Sequence, residues 1–288
     1  METAKRCLIN VRSFFRKQRL KNLKKNILRY CSHNNNSEYD EIVKVLKLNP
    51  VECYNYNYTK KYKNMNVAVC FDESIGLYYV VHNNNKMYMK KGWTAEQARE
   101  YYRFITIEQD NLSPHLYFTE DLKNKRFKRI LDLGAAEGNF TLDIIERCEH
   151  AYVFECDPNW IEALKATFRP WQGKVHLITA FVSNTTQDGT LTLDDYFKDD
   201  SEDIDLIKID VEGEELPVLQ GSSHILQKNK QVRLLICAYH YQNEENEIRS
   251  YLSGWNIKNR NGYIVMIDDK KQRRPYLRRG ILEATRSC

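Results

Sequence analysis

The sequence predicts an α/β protein whose core is a mostly parallel β-sheet with helices on both faces. Residues 129–134 are apolar-rich and run into a turn, as a buried strand does. Residues 151–154 form a second apolar run, which ends in Glu155. Between them, Asn139 can cap a helix whose apolar residues recur at helical spacing: Phe140, Ile144, Ile145 and Cys148. A strand, a glycine turn, a helix and a strand ending in an acid form half of a nucleotide-binding βαβ unit.

The turn after the first strand reads DLGAAEG over residues 132–138. Its small residues allow a close approach of backbone to ligand, and the following helix N-terminus favours a carboxylate or phosphate. Neither the G-x-G-x-x-G dinucleotide fingerprint nor a P-loop is present. The spacing instead resembles motif I of class I S-adenosylmethionine-dependent methyltransferases. Glu155 can then accept both hydroxyls of an adenosine ribose.

The positive charge of the chain is concentrated at its N-terminus. The 288 residues carry a formal net charge of +5. Residues 1–30 contain ten Lys or Arg and one Glu, or +9, so the other 258 residues sum to −4. A mildly acidic body argues against a nucleic-acid groove, and no nucleic-acid partner is expected.

The eight cysteines show no C-x-x-C pair and no zinc-ligand spacing. Cys148, Cys156 and Cys237 lie in apolar contexts and are predicted to be small buried residues. No signal-peptide core follows the start, and no apolar run reaches the ~18 residues that a membrane span needs. We expect a reducing cytoplasmic location.

Residues 1–49 are predicted to form a basic helical extension and a linker. The helix covers residues 5–29, and the polar run 32–37 is the linker. The apolar side chains at helical spacing are Leu20, Leu23, Ile27 and Tyr30. Three interpretations follow: the helix docks this stripe on the main domain or on a second copy of the chain, it attaches to an anionic membrane surface, or it binds nucleic acid.

Residues 50–115 are predicted to form an accessory β/α region. Short strands are expected over residues 67–71, 77–81 and 86–89. Tyrosines interleaved with lysines there could bind bases or sugars, although a half-buried sheet surface is the favoured interpretation. Thr94 and Gln97 form a capping box that opens a helix to about Ile107. His115 follows, either at the open end of the cofactor site or on the surface.

Residues 116–288 are predicted to contain the main sheet. Besides the first two strands, strands are expected over residues 175–179, 204–210 and 234–239. Helices are expected from Pro158, over 217–226 and over 248–252, and antiparallel strands over 262–267 and 276–284. Phe181, after the third strand, either flanks an adenine ring or belongs to the core.

Polar residues follow the fourth and fifth strands of this sheet. Asp210 and Glu212 come after one strand, and His240 comes after the next. Ligands of open α/β sheets bind beyond the carboxyl ends of the strands, so these three side chains are expected at one edge. Acids at a helix N-terminus explain Glu214 and Glu215 but not Asp210, which lies on the strand end.

Several motifs in order resemble the FkbM-type S-adenosylmethionine-dependent methyltransferases. The motifs are DLGAAEGNFT (132–141), VFECDPNW (153–160), TLDDYF (192–197), LIKIDVEGEE (206–215), ICAYH (236–240) and YLRRGILEA (276–284), with EQDNLSPHLY (108–117) upstream. The resemblance covers roughly residues 85–288, and the first 50 residues have no part in it. Family members often have Asn where Ala136 stands and Pro where Cys156 stands, and both positions are expected to meet the ligand through backbone atoms.

This resemblance implies a seven-stranded class I methyltransferase core that uses S-adenosyl-L-methionine to methylate oxygen. Its acceptors are often hydroxyls of sugars or natural products, and in bacteria such enzymes are commonly tied to surface-glycan or secondary-metabolite synthesis. The residues expected to bind the cofactor are Asp132, Gly134, Ala135, Glu137, Gly138, Glu155, Cys156, Phe181 and His115. The competing classes are a nicotinamide-dependent oxidoreductase, for which the third glycine is missing, and a cofactor-binding module without activity.

A hydroxyl acceptor needs a base. His240 is the first candidate because an imidazole titrates near neutrality, although a core histidine satisfied by backbone is the alternative. Asp210 is predicted to orient His240, to act as the base or to bind the amino group of the methionine moiety. Glu212 is predicted to hold acceptor hydroxyls. A divalent cation bound by these three residues is a further alternative, and no resident metal is predicted.

Overall fold

A computed structural model describes residues 2–34 and 36–286, with side chains from residue 16 onward. Asn35, in the predicted linker, lies outside the described residues. The strands are β1 (Val69–Asp72), β2 (Leu77–His82), β3 (Asn85–Tyr88), β4 (Phe127–Leu133), β5 (Cys148–Glu155), β6 (Val175–Thr179), β7 (Phe181–Val182), β8 (Thr190–Leu191), β9 (Leu206–Ile209), β10 (Arg233–Cys237), β11 (Trp255–Asn259) and β12 (Ile281–Arg286).

Helices precede and separate these strands. The α-helices are α1 (Glu2–Ser32), α2 (Asp40–Leu48), α3 (Ala95–Glu108), α4 (Glu120–Lys123), α5 (Asn139–Ile144), α6 (Pro158–Phe168), α7 (Leu193–Tyr196), α8 (Glu215–Gln220), α9 (Ser223–Lys228) and α10 (Glu244–Tyr251). Short 3₁₀ helices lie at Ser37–Tyr39, Asn57–Tyr62, Ile145–Arg147 and Arg169–Trp171. Among the described residues, no helix is both long and apolar enough to cross a bilayer.

The main sheet has seven strands in the order β11-β12-β10-β9-β4-β5-β6. Strands β4, β5, β6, β9 and β10 pair in parallel, and β12 pairs antiparallel with both β10 and β11. The predicted seven-stranded, mostly parallel sheet is therefore confirmed. Strand order reverses between β4 and β9, and ligands of open α/β sheets bind at such a point.

The sheet is covered on both faces because its strands carry apolar side chains in both directions. Ile130 of β4 belongs to one core cluster, and its neighbours Leu131 and Leu133 belong to another. Successive side chains of a strand point to opposite faces, so the two clusters lie on the two faces of the sheet. Both faces being buried is typical of parallel sheets with helices on each side.

The N-terminal helix packs on the main domain through the apolar residues that the sequence singled out. Leu23 and Ile27 of α1 are buried in the same cluster as Ile130, and Leu20 and Tyr30 pack against it half-buried. One core therefore runs through all three predicted segments, 1–49, 50–115 and 116–288, and their boundaries remain a prediction.

The accessory region forms as its sequence predicts. Strands β1, β2 and β3 make an antiparallel meander. Helix α3 begins with the predicted capping box, in which Thr94 and Gln97 exchange hydrogen bonds. The capping box satisfies two N–H groups that a helix start otherwise leaves without partners.

Three predicted elements differ from the structure. Helix α5 ends at Ile144, and Cys148 begins β5 instead of closing the helix. The helix expected over 217–226 is divided at Gly221 into α8 and α9, and a side chain at Gly221 would meet the Ser183 carbonyl at 2.2 Å. The antiparallel strands are β11 and β12. Residues 262–267 contribute only the isolated bridge of Ile264 to Arg278.

Candidate active site

A cavity of about 560 Å³ lies at the carboxyl edges of β4, β5, β9 and β10. This volume is within the range of small-molecule sites, roughly 300–1,000 Å³. Its position at the strand-order reversal is the one that the sheet topology favours. We call the part next to the turn after β4 the cofactor half, and the part next to Asp210 and α3 the acceptor half.

The turn after β4 needs glycine at its first position. Gly134 has a φ of +71°, and a Cβ there would lie 1.9 Å from the Asp210 carbonyl oxygen. Gly138 has a φ of +82°, and a Cβ there would contact Leu164 and Phe168 at 2.9 Å. The turn is thus pressed between the end of β9 and helix α6. Ala136 also has a positive φ, +47°, which costs free energy for a residue with a Cβ.

A buried lysine holds this turn from below. Lys208 of β9 donates hydrogen bonds to the carbonyls of Leu133 and Gly134, at 3.3 and 2.5 Å. Its ammonium lies 3.0 Å from Asp132, which is fully buried and also accepts a hydrogen bond from Thr141. Burial lowers the pKa of Lys208, but the charges of Asp132 and Asp210 outweigh it and raise the pKa above the ordinary value. Lys208 is therefore a fixed cation.

Glu155 is bound by the backbone around it. Its carboxylate accepts hydrogen bonds from the N–H groups of Ala136, Cys156 and Asp157, each at 2.8 Å. The two positions at which this chain departs from the resembled motifs thus meet Glu155 through backbone atoms. Cys156 is exposed, which corrects the prediction that it is buried, whereas Cys148 and Cys237 are buried as expected. Proline at position 156 would remove one of the three donors.

Most residues predicted to bind the cofactor line the cavity. They are Gly134, Ala135, Glu137, Glu155, Cys156, Phe181 and His115. Asp132 and Gly138 do not: Asp132 lies beneath the turn against Lys208, and Gly138 precedes α5. Glu137 accepts a hydrogen bond from Tyr101 at 2.7 Å, and burial raises its pKa to about 7.

His240 reaches the edge that the sequence predicts, but its surroundings do not suit a base. Its Nε2 lies 3.3 Å from Asp210 Oδ1, and its Nδ1 lies 3.1 Å from Glu215 Oε1. Burial alone would lower the pKa of His240, but these two carboxylates raise it to about 11. Titration near neutrality, on which its choice as a base rested, therefore does not fit this geometry. An imidazolium between two carboxylates has no free site for a proton.

Asp210 is held as an anion at the cavity wall. Tyr117 donates a hydrogen bond to Asp210 Oδ2 at 2.9 Å. Burial raises the pKa of Asp210, but His240 and the charge of Lys208 overcome this effect and hold the pKa far below the ordinary range. Glu212, with a φ of +58°, has a side chain that is 91% exposed and lies 3.7 Å from His240 Nε2.

Two fully buried glutamates complete the surroundings of His240. Glu215 accepts a hydrogen bond from the Val211 N–H at 2.9 Å, and Glu244 accepts one from the His240 N–H at 2.6 Å. Burial and the neighbouring Glu215 raise the pKa of Glu244 to about 9. Burial raises the pKa of Glu215 too, but His240 outweighs this effect and lowers it, so the negative charge of the pair lies mainly on Glu215. Glu215 was predicted only as an acid at a helix start, and Glu244 was not predicted as a site residue.

His115 is a buried residue of the cavity wall, not a surface histidine. Its Nε2 lies 2.7 Å from the Tyr239 hydroxyl and 3.5 Å from Cys237 Sγ. Burial lowers its pKa to about 4, so the ring is neutral at physiological pH. A neutral ring in the wall can exchange hydrogen bonds with a ligand without adding charge.

Two sets of potential metal ligands share Asp210. Within the described residues, one set is His115, Asp210 and Cys237, and the other is Asp210, Glu215 and His240, each with ligand atoms within 4.8 Å. Coordination by His240 requires a deprotonated ring nitrogen. The two carboxylates beside its ring oppose that loss, because they stabilise the protonated form.

The acceptor half is lined by residues far from the βαβ unit. Cys53, Tyr54, Phe104 and Glu108 come from the accessory region, and Met266 comes from the segment after β11. Tyr54 donates a hydrogen bond to Glu108 at 2.8 Å. Burial, reinforced by the charge of Asp210, raises the pKa of Glu108 to about 8 despite this bond. Glu108 was not predicted to be a site residue, although this glutamate opens the EQDNLSPHLY motif at the end of α3.

Comparisons with known proteins agree with the motifs. The profile of the methyltransferase FkbM domain matches residues 25–265. The match begins well before residue 85, where the resemblance was first evident, and it stops before the YLRRGILEA motif. No curated protein matches the chain.

Solved structures of methyltransferases are similar to parts of this chain. An FkbM methyltransferase from Methylobacillus flagellatus is 20% identical, with a TM-score of 0.46 over 64% of this chain and 50% of its own. This chain thus spans half the length of that protein. A TehB-like SAM-dependent methyltransferase from Corynebacterium glutamicum is 15% identical, with a TM-score of 0.41, over 67% of this chain and 97% of its own.

The family match carries the assignment, since it covers most of the chain and includes the turn after β4, Glu155 and Asp210. A methyltransferase domain agrees with the strand order of the sheet and with the glycine turn at its edge. The chain belongs to the FkbM methyltransferase family.

Proposed function

We propose that the protein is an S-adenosylmethionine-dependent O-methyltransferase that acts on a hydroxyl of a sugar, glycan or related metabolite. One observation carries this proposal: Glu155 and Asp210, at the ends of the two strands that flank β4, line a single cavity together with the Gly134 turn. The first suits a ribose diol, and the second suits a hydroxyl acceptor.

The cofactor half fits an adenosine. Gly134 removes side-chain bulk from the turn, and Glu155 lines the cavity at the end of β5. S-Adenosylmethionine supplies an electrophilic methyl group on its sulfonium. The chain would hold the ribose through Glu155, flank the adenine with Phe181 and contact the methionine moiety from the turn and Asp210. Such alignment can supply roughly 7–11 kcal/mol of the barrier.

The acceptor half fits a polyhydroxylated ring. Tyr54 and Phe104 offer aromatic surfaces, while Glu108 and Asp268 offer carboxyl groups that can accept hydrogen bonds from hydroxyls. Glu212, at the rim, can hold a further hydroxyl. This mixture of ring surfaces and acceptors supports a sugar more than a purely apolar acceptor.

We assign the proton transfer to Glu108 instead of His240. A base works best when its pKa lies near the working pH, and the pKa of Glu108, about 8, meets that condition. Asp210 accepts a hydrogen bond from the acceptor hydroxyl and orients it. His240 is a positioning residue, because its ion pair keeps Asp210 ionised.

The test is transfer of a labelled methyl group from S-adenosylmethionine to extracts rich in glycans and polar metabolites. We expect a labelled product whose mass rises by one methyl group and whose NMR spectrum contains an O-methyl signal. The Glu155→Ala variant should give none. A product methylated on nitrogen or carbon would contradict the acceptor class.

The labelling experiment also distinguishes an enzyme from a binding module. A protein that binds S-adenosylhomocysteine tightly and labels nothing in any extract is a cofactor-binding pseudo-enzyme. For a nicotinamide-dependent oxidoreductase, NAD would raise the melting temperature. We expect a rise with S-adenosylhomocysteine and none with NAD.

A further inference from the structure

One face of α1 is cationic and takes no part in the packing of the described residues. Lys17, Lys21, Lys25 and Arg29 follow each other at intervals of four residues, which places them on one side of the helix over about 18 Å. We call these four residues the cationic stripe. All four are exposed. Among the residues whose side chains the structure describes, none of the four has an ion-pair or side-chain hydrogen-bond partner.

The opposite side of α1 is fully used in packing. Leu23 and Ile27 are buried in the core, so the orientation of the helix on the body is fixed and the cationic stripe faces away from it. Arg19, on a third side, donates hydrogen bonds to the carbonyls of Ile267 and Asp269. These contacts hold the helix against the segment whose Met266 lines the cavity.

A large exposed apolar side chain lies beside this helix. Lys24 donates a hydrogen bond to the Asn49 carbonyl at 2.8 Å, which places the end of α2 against α1. Leu48, the residue before Asn49, is 86% exposed, and the neighbouring Lys44 and Lys47 are exposed cations. Basic residues combined with an exposed leucine are the composition of an interfacial membrane surface.

We propose that the cationic stripe and Leu48 bind an anionic membrane surface. The stripe is complementary in charge to phospholipid headgroups, and its cations are about 6 Å apart along the helix, closer than the screening length of about 10 Å at 0.1 M salt. A nucleic acid fits less well, because the exposed Leu48 gains nothing from phosphates, whereas it can insert into the apolar layer of a bilayer.

The test is co-sedimentation of the full-length protein with phosphatidylcholine vesicles that contain about one third phosphatidylglycerol. We expect binding at about 0.1 M salt, release at about 1 M salt, and none to pure phosphatidylcholine. Each cation near such a surface contributes roughly a fivefold gain in partitioning. A variant with Lys17→Gln, Lys21→Gln, Lys25→Gln and Arg29→Gln should therefore lose binding by several hundredfold. Leu48→Ser should lose roughly tenfold.

The matched control removes the same charge elsewhere. Lys63, Lys125, Lys165 and Lys230 are exposed lysines outside α1 and α2, and changing all four to Gln should leave vesicle binding unchanged. Equal thermal melting midpoints for both variants would show that folding is intact. Three results would overturn the proposal: no binding by the wild type, binding retained by the stripe variant, or binding of a single-stranded oligonucleotide instead of the vesicles. Each readout is independent of methyl transfer.

Discussion

The two halves of the cavity are held by different kinds of contact. In the cofactor half, Glu155 is fixed by three backbone N–H groups that lie close to it in sequence or on the preceding turn. In the acceptor half, Asp210 is fixed by Tyr117, His240 and the charge of Lys208, which come from separate segments. Backbone donors do not titrate, whereas side-chain networks do. The hydrogen bonds to Glu155 should therefore persist at any pH at which the protein is folded, whereas those to Asp210 depend on the charges of neighbouring side chains.

The largest effect is expected where the two halves touch. Gly134→Ala would place a Cβ 1.9 Å from the Asp210 carbonyl oxygen, at a backbone conformation that disfavours a side chain. We expect the free energy of unfolding to fall by about 4 kcal/mol or more, measured by urea denaturation. Gly173→Ala is the control, since a Cβ there has nothing within 4 Å. Equal stability of the two variants would disprove the close approach.

The next effect concerns Lys208, at the boundary of the halves. Lys208→Met would leave Asp132 buried without its cation, which costs about 4 kcal/mol in comparable pairs. Adding Asp132→Asn removes the uncompensated charge, so the double variant should be more stable than the single one. Urea denaturation of the wild type, the two single variants and the double variant measures this. A double variant that loses the sum of both single effects would contradict the pairing.

In the acceptor half, Glu108→Gln should lower kcat by at least about a hundredfold and leave cofactor affinity nearly unchanged. A base must be deprotonated, so the wild-type kcat should rise with pH through about 8, the pKa of Glu108. That rise should be absent in the variant. Glu100→Gln, on the exposed side of the same helix, is the control. A normal kcat and an unchanged pH profile in Glu108→Gln would show that another residue is the base.

The charge of His240 gives a smaller and more specific test. Its folded pKa, about 11, lies above its ordinary value of 6.5. Its ion pairs therefore stabilise the fold fully below about pH 6.5, and this contribution declines as the pH rises toward 11. His240→Gln should cost about 2 kcal/mol at pH 6 and less at pH 10. The ring signals of His240 in NMR spectra should stay constant from pH 5 to 9. A midpoint near 6.5 would instead support the neutral base.

The smallest effect is expected from relieving strain in the cofactor half. Ala136 has a φ of +47°, a conformation that asparagine tolerates better than alanine. Ala136→Asn should raise the free energy of unfolding by about 0.5 kcal/mol, without loss of cofactor affinity. Thermal melting with and without S-adenosylhomocysteine measures both quantities. Asparagine that destabilises the protein would show that the turn has no room for it.

The difference between contacts that are local in sequence and contacts between distant segments explains what could be predicted from the sequence. The turn, β5 and Glu155 are local, so hydrophobic periodicity and glycine spacing predict them. The main strands also follow, because a parallel sheet buried on both faces leaves continuous apolar runs. The end of α5 at Ile144 and the break at Gly221 were not predicted, because the apolar spacing continues past both positions.

The acceptor half depends on contacts between residues far apart in the chain. Glu108 lies 102 residues before Asp210 in the sequence, and nothing in its local pattern places it in a cavity. His240 reached the predicted edge, yet its charge depends on Asp210 and on the buried Glu215, whose burial no periodicity reveals. A residue type and a strand end can therefore predict location, but not protonation state.

Calorimetric titration with S-adenosylhomocysteine tests most directly whether the nucleoside binds at Glu155. The account predicts tight binding to the wild type, a loss of at least about a hundredfold in Glu155→Ala and no loss in Glu162→Ala, an exposed glutamate of α6 paired only with Lys91 in the described part of the chain. Equal affinity for all three proteins, with the fold intact, would contradict it.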